Sequence, residues 1–179
     1  MTTNAKAKWA IDPKHSEVQF KVKHLAIANV SGTFKIFKGD VQTTNDDFED
    51  AEINFEIDVN SIDTNLEERD GHLKSPLFFD AQKFPKITFT GLLKKENDRY
   101  ALEGDLTIRD AKNKVKLDVQ HTGTGKGRLG DTRAGFEVTG NINRKDFGLT
   151  WSMLTEAGNL IVGEEVKLHF DIELVSQAG

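Results

Sequence analysis

The side chains best suited to chemistry gather in one short run, Arg69-Asp70-Gly71-His72, with a second arginine, Arg144, far downstream. A guanidinium beside a carboxylate forms a charge-assisted pair that can hold a helix down, and Arg69 or His72 at the rim of a cavity can meet a ligand head group. Arg144 is the other residue suited to a phosphate or hydroxyl. Beyond these the polar chemistry is sparse. The five histidines, His15, His24, His72, His121 and His169, show no pair at a metal-ligand spacing, so no metal site is expected. His24 and His121 share the parity of apolar strand neighbours, where a histidine is most often a hydrogen-bonded core residue, whereas His169 has the outward parity. His15-Ser16 sets a base beside a hydroxyl but brings no orienting acid, and the absence of cysteine removes thiol chemistry and cysteine-bound metal. These residues read as a binding protein, not an enzyme, with no cofactor.

Arg69 and His72 sit inside a long connection, Ser61 to Gly91, whose ends read as strand and whose middle does not. Ile53, Phe55, Ile57 and Val59 alternate with polar residues before it, as do Ile87 and Phe89 after it. Between them Asp63 or Thr64 can cap a helix that carries Glu67 and Glu68 in its first turn. Leu66, Arg69, Asp70 and Leu73 fall on helical spacing and Pro76 ends the run, so a helix is predicted between about Thr64 and Ser75. The block Leu77-Phe78-Phe79 is too apolar to face water and is predicted to fold back as a plug. Arg144 opens a second irregular stretch, through Asn159, whose Phe147, Leu149, Trp151, Met153 and Leu154 read as the cover of an end.

The remaining segments are strands by the same alternation. Val18, Phe20 and Val22 form one, and Val30 to Lys38 another, with Gly32 read as a bend or bulge. A short polar strand is expected at Val41 to Thr43, and Asn45 to Asp50 reads as an acidic, solvated turn. Tyr100 to Ile108 and Val115 to Val119 make a hairpin, Gly123 to Arg133 with its four glycines reads as a mobile loop, and Phe136, Val138 and Ile142 share a face. Val166 to Leu174 is the longest alternation and reads as a central strand. Such strands suit a closed barrel or a two-sheet sandwich, and two apolar insertions favour the barrel, because a ligand-sized barrel needs its ends covered. The expected lining is Phe20, Val22, Phe34, Phe55, Ile57, Phe89, Leu106, Val119, Phe136, Val138, Leu168 and Phe170. His24, Phe78 and Trp151 join it, with Arg69, His72 and Arg144 as its polar members.

The totals agree with this. A chain of 179 residues suits one domain, 1–179, and 37% hydrophobic with 30% charged residues suits antiparallel strands with one wet face. A net charge of −5 with both signs interspersed argues against nucleic acid as a partner. No apolar run approaches a membrane span. The first residues lack the apolar core of a signal peptide, so a cytoplasmic location is expected for the chain as written, and a periplasmic one if it is a mature form.

Several ordered motifs run through these segments: Trp9-x-Ile11-Asp12-x-x-His15-Ser16-x-Val18-x-Phe20, Ser61-Ile62-Asp63-Thr64 through Arg69-Asp70-x-His72-Leu73, Phe78-Phe79-Asp80 to Pro85, and Ile142-Asn143-Arg144-x-Asp146-Phe147-Gly148. Together they resemble the YceI family of lipocalin-like polyisoprenoid-binding proteins, over nearly the whole chain. The resemblance implies an eight-stranded antiparallel lipocalin-like β-barrel with a helical insertion, a polyisoprenoid or other long-chain lipid inside it, and a homodimer. The turn after Leu106-Thr107 departs from the family pattern, with Asp110 and Lys114 where Gly and Pro are usual; Asp tolerates a left-handed conformation there. The function expected is non-catalytic binding, storage or transport of that lipid. The alternative is an isoprenoid-quinone protein in a redox or stress response, with catalysis that would require Arg69 and His72.

Overall fold

Alternating strands with one apolar face have to bury that face, and here they do so by closing on themselves. The computed structural model describes residues 7–24, 27–45, 47–149 and 162–177. β1 (Ala7–Ile11) and β2 (Glu17–His24) are successive halves of one bent strand, as are β3 (Ala28–Phe34) and β4 (Phe37–Thr43). β5 (Ala51–Asp58) and the two-residue β6 (Ile62–Asp63) form the third. β7 (Lys86–Glu96), β8 (Arg99–Ile108), β9 (Ala111–Lys126), β10 (Thr132–Asn143) and β11 (Val162–Ser176) complete the order, each antiparallel to its neighbour. β11 pairs with β10 on one side and with both β1 and β2 on the other, which closes an eight-stranded barrel. A sandwich has no such closing pair.

The bend between β1 and β2 has a local cause. Asp12 accepts a hydrogen bond from the Lys14 amide at 3.0 Å and lies 2.8 Å from His15 Nδ1, which winds residues 13–15 into one short turn behind Pro13. Arg133 donates to both Asp12 (2.8 Å) and Glu173 (2.6 Å), and Ser16 Oγ accepts from the Glu173 amide at 2.9 Å. The bent strand is thereby fastened to β10 and β11. Asp12, His15 and Glu173 come close enough together to suggest a cation site, but the Arg133 guanidinium is already bound to both carboxylates.

Antiparallel order sends successive connections to alternate ends. The β2–β3 turn, the 64–85 insertion, the β8–β9 turn and residues 144–149 after β10 share one end, and the β4–β5, β7–β8 and β9–β10 connections share the other. The helix is α1 (Glu67–Lys74), shorter at its start than expected. Neither Asp63 nor Thr64 caps it, since Leu66 is the capping position and has no side-chain bond. Thr64 is instead a hub. Asp70 accepts from the Thr64 amide at 2.9 Å and from its hydroxyl at 2.5 Å, while Arg69 donates to the same hydroxyl at 2.8 Å and to the Thr64 carbonyl. Arg69 and Asp70 therefore grip Thr64, not each other. Phe78 and Phe79 fold back as expected, Phe79 edge-on to Phe34 at 6.2 Å, but Leu77 stays 58% exposed.

Three turn readings change. Of Gly123 to Arg133 only residues 127–131 are loop: β9 runs to Lys126 and β10 starts at Thr132, because inter-strand bonds need only backbone and Gly123 and Gly125 face open space. Gly32 is neither bend nor bulge, since it pairs regularly with Phe20, whose ring lies where a Cβ would stand. In the β8–β9 turn the left-handed residue is Arg109 (φ 56°), not Asp110. Its guanidinium donates to the Gly148 carbonyl at 2.9 Å, tying this turn to the neighbouring insertion.

Candidate functional site

The interior holds two buried clusters with an open space between them. Trp9, Phe48, Tyr100, Phe136 and Leu174 belong to one buried cluster, and Val18, Phe34, Ile57, Phe79, Phe147 and Leu149 to another. Ile11, Phe55, Leu106, Val115, Leu168 and Phe170 have inward parity yet are only half-buried. What they face is a cavity of about 780 Å³. A packed core would have covered them.

The structure brings nearly all the sequence candidates to this cavity. Phe20, Val22, Phe34, Phe55, Ile57, Phe89, Leu106, Val119, Phe136, Val138, Leu168 and Phe170 line its walls, and Phe78 lines the end that carries the insertions. Trp151 lies outside the described residues. His24, Arg69 and His72 also line it, at that same end, together with Lys23 and Glu68. His24 is not a core histidine: it is exposed, because β2 runs past the packed wall before it turns. Solvent-exposed Lys23, His24 and Glu68 make this end the mouth among the described residues.

Arg144 lines the cavity from a different situation. It is 1% exposed, and it donates to the carbonyls of Leu149 (2.6 Å), Gly163 (2.8 Å) and Val162 (3.2 Å). Burial presses its pKa downward, and the nearby Glu164 carboxylate opposes that shift. Asn143 starts the short turn that presents it, accepting from the Lys145 amide at 2.9 Å, and Gly148 ends that turn at φ 76°. The guanidinium fastens the insertion to β11.

The opposite end departs from the sequence reading at one residue. Asn45, Glu49 and Asp50 are exposed, as a solvated turn requires, but Phe48 is 2% exposed and lines the cavity floor. Its ring lies 5.1 Å from Trp9, 5.0 Å from Phe136 and 5.7 Å from His121, which itself stacks on Phe136 at 4.7 Å, so the rings of Phe48, Phe136 and His121 form a triangle. His121 is thus a partly buried ring neighbour with Thr124 Oγ1 2.9 Å from its Nε2. Glu49 and Asp50 beside Phe48 do face water, and the one signal in the sequence is an aromatic residue alone among acidic ones.

With this geometry in place, comparison with known proteins decides the family: residues 9–174 match the YceI-like domain. The chain belongs to the YceI-like family. A UPF0312 protein of Staphylococcus epidermidis is 37% identical over 169 residues, covering 93% of this chain and 96% of that one. Protein YceI of Salmonella newport is 37% identical over 174 residues, covering 96% and 88%. Among solved structures, the Campylobacter jejuni YceI protein superposes with a TM-score of 0.72 at 30% identity, covering 88% of this chain and 91% of that one. A polyisoprenoid-binding domain from Saccharophagus degradans, implicated in plant cell wall breakdown, has a TM-score of 0.68 at 16% identity over 94% and 98% of the two chains, a likeness of fold. The residues that carry the YceI resemblance are chiefly fasteners: Asp12, His15 and Ser16 at the strand bend, Thr64, Arg69 and Asp70 at the helix, Arg144 and Gly148 at the second insertion.

Proposed function

We propose that this protein holds one long apolar chain, a polyisoprenoid or similar lipid, inside the barrel for storage or transport, without changing it covalently. The observation that carries this is a single apolar cavity, floored by Phe48 at one end and meeting polar, exposed residues at the other. A lipid fits it tail inward, with its polar end beside Lys23, Arg69 and His72. At about 0.8 kcal/mol for each buried CH₂, a chain of tens of carbons has a gross driving force that exceeds its ordering cost, so head-group contacts need not supply the affinity. The polar groups fit a carrier too, since Arg69 and Arg144 are committed to Thr64 and to backbone carbonyls. Polyisoprenoid binding by the Saccharophagus degradans domain supports the choice of ligand class. A homodimer is part of the same proposal, resting on the family, and light scattering that gives one chain's mass across micromolar concentrations would refute it.

Native mass spectrometry of protein purified without detergent tests the main reading: one lipid of added mass is expected. No adduct, before or after incubation with long prenols, would overturn it. Arg69→Ala with His72→Ala separates carrier from quinone enzyme. A carrier keeps most of its lipid, whereas loss of a measurable turnover with the lipid still bound would favour the enzyme.

A further inference from the structure

We infer that Phe48 is the stop that sets the longest chain the cavity accepts, an inference that rests on the carrier reading above. Phe48 closes the floor in company with Val41, Leu93, Val119, Phe136 and Leu174. Trp9, itself buried and outside the lining, packs directly against it. A chain that enters at the mouth and runs the length of the barrel meets this ring.

The loop is built to hold the ring there. Phe48 has φ 64°, a left-handed conformation that bulky residues rarely adopt and that persists where the surroundings enforce it. Asn45 Nδ2 donates to the Glu49 carbonyl at 2.8 Å, and the Glu49 amide donates back to Asn45 Oδ1 at 3.1 Å. The Tyr100 hydroxyl donates to the Asp47 carbonyl, and the Asp50 amide donates to the Leu93 carbonyl at 2.8 Å. Lys94 and Lys95 pair with Asp50 and Asp47 at 2.9 and 3.1 Å. Nothing about a solvated turn calls for so many ties. They make sense if the ring must stay in place when a chain presses on it.

The consequence is a length limit. At the packing density of protein interiors, a cavity of about 780 Å³ takes on the order of thirty carbons. A prenyl unit beyond that limit stays in water, gains nothing from the barrel, and still gives up its place in a micelle or membrane. Chains longer than the cavity are therefore selected against.

The test supplies an equimolar ladder of all-trans prenols, differing by one five-carbon unit, in detergent micelles, and reads the bound lengths by native mass spectrometry. The wild type should show an upper cut-off. Phe48→Ala should raise it by about one five-carbon unit, since a phenyl ring occupies roughly the room of one such unit. Phe48→Trp should lower it. The tryptophan variant keeps an aromatic plug, so the shortening arm stands even if the alanine variant melts, and circular dichroism checks that each retains its β structure. A cut-off unmoved in both folded variants overturns the stop while leaving the carrier reading intact. An equal upward shift from Phe55→Ala, which removes a ring part-way along the wall, also overturns it, because total volume would then set the limit. A wild type that takes up no prenol removes both the carrier reading and the stop.

Discussion

Asp12 shows how much a short side chain can fix. It meets the Lys14 amide, His15 and Arg133, and the Arg133 guanidinium, followed by His15, holds its carboxyl at about 2, below the ordinary 3.8. A lowered folded-state pKa means that the stabilisation is fully present above about pH 4 and fades as the pH falls through about 2. Asp12→Asn should therefore cost about 1–2 kcal/mol at neutral pH, and the gap from wild type should close in melts near pH 2. A gap that is constant with pH would mean that the charge is not what matters. The sequence marks Asp12, His15 and Ser16 as a motif, but the partner that explains them, Arg133, is 121 positions away and no local pattern points to it. Arg69 and Asp70 illustrate the same gap, because adjacency suggested a pair where both in fact bind Thr64.

At the scale of elements, strands were the legible part, since a period of two is written locally and survives whatever the strand packs against. Connections were less so. Charge outnumbered one aromatic residue in 45–50 and hid the floor, and glycines in 123–126 read as loop although a ladder of backbone bonds has no use for side chains. In the second insertion Phe147 and Leu149 are buried, as an apolar cover requires, but its fastening has no local signal, because an arginine beside a turn suggests a ligand contact and Arg144 donates to the carbonyls of Leu149, Val162 and Gly163. Arg144→Met should cost about 3 kcal/mol, leaving buried carbonyls without donors. Arg144→Lys should recover little, since one ammonium lacks the planar fork that reaches all of them. Both should lower the urea midpoint without changing its slope. A loss below about 0.5 kcal/mol for Arg144→Met would show that the insertion is held by its apolar contacts instead.

For the whole molecule, barrel and sandwich differ in what lies between the two sheet faces, and one pair of substitutions separates them. Phe136 and Phe170 share inward parity, and the sequence alone treats them alike. The structure does not: Phe136 is buried against His121 and Phe48 at the floor, whereas Phe170 is half-buried on the wall, with Phe55 its ring neighbour at 6.1 Å. A carboxylate at 136 displaces a ring from that packed cluster and is less open to water than one on the wall, so Phe136→Glu should lose about 4 kcal/mol or more. At 170 the new side chain points into the cavity, where water that replaces the lipid can solvate it, so Phe170→Glu should lose about 2 kcal/mol or less and keep its β structure. It should also lose its lipid, because a charge in mid-channel repels an apolar chain. Thermal melts by circular dichroism, with native mass spectrometry on the same samples, check both halves. Equal and large losses would mean that the interior does not admit water and is closer to a packed core. A folded Phe170→Glu that still carries its lipid would place the ligand somewhere other than the barrel.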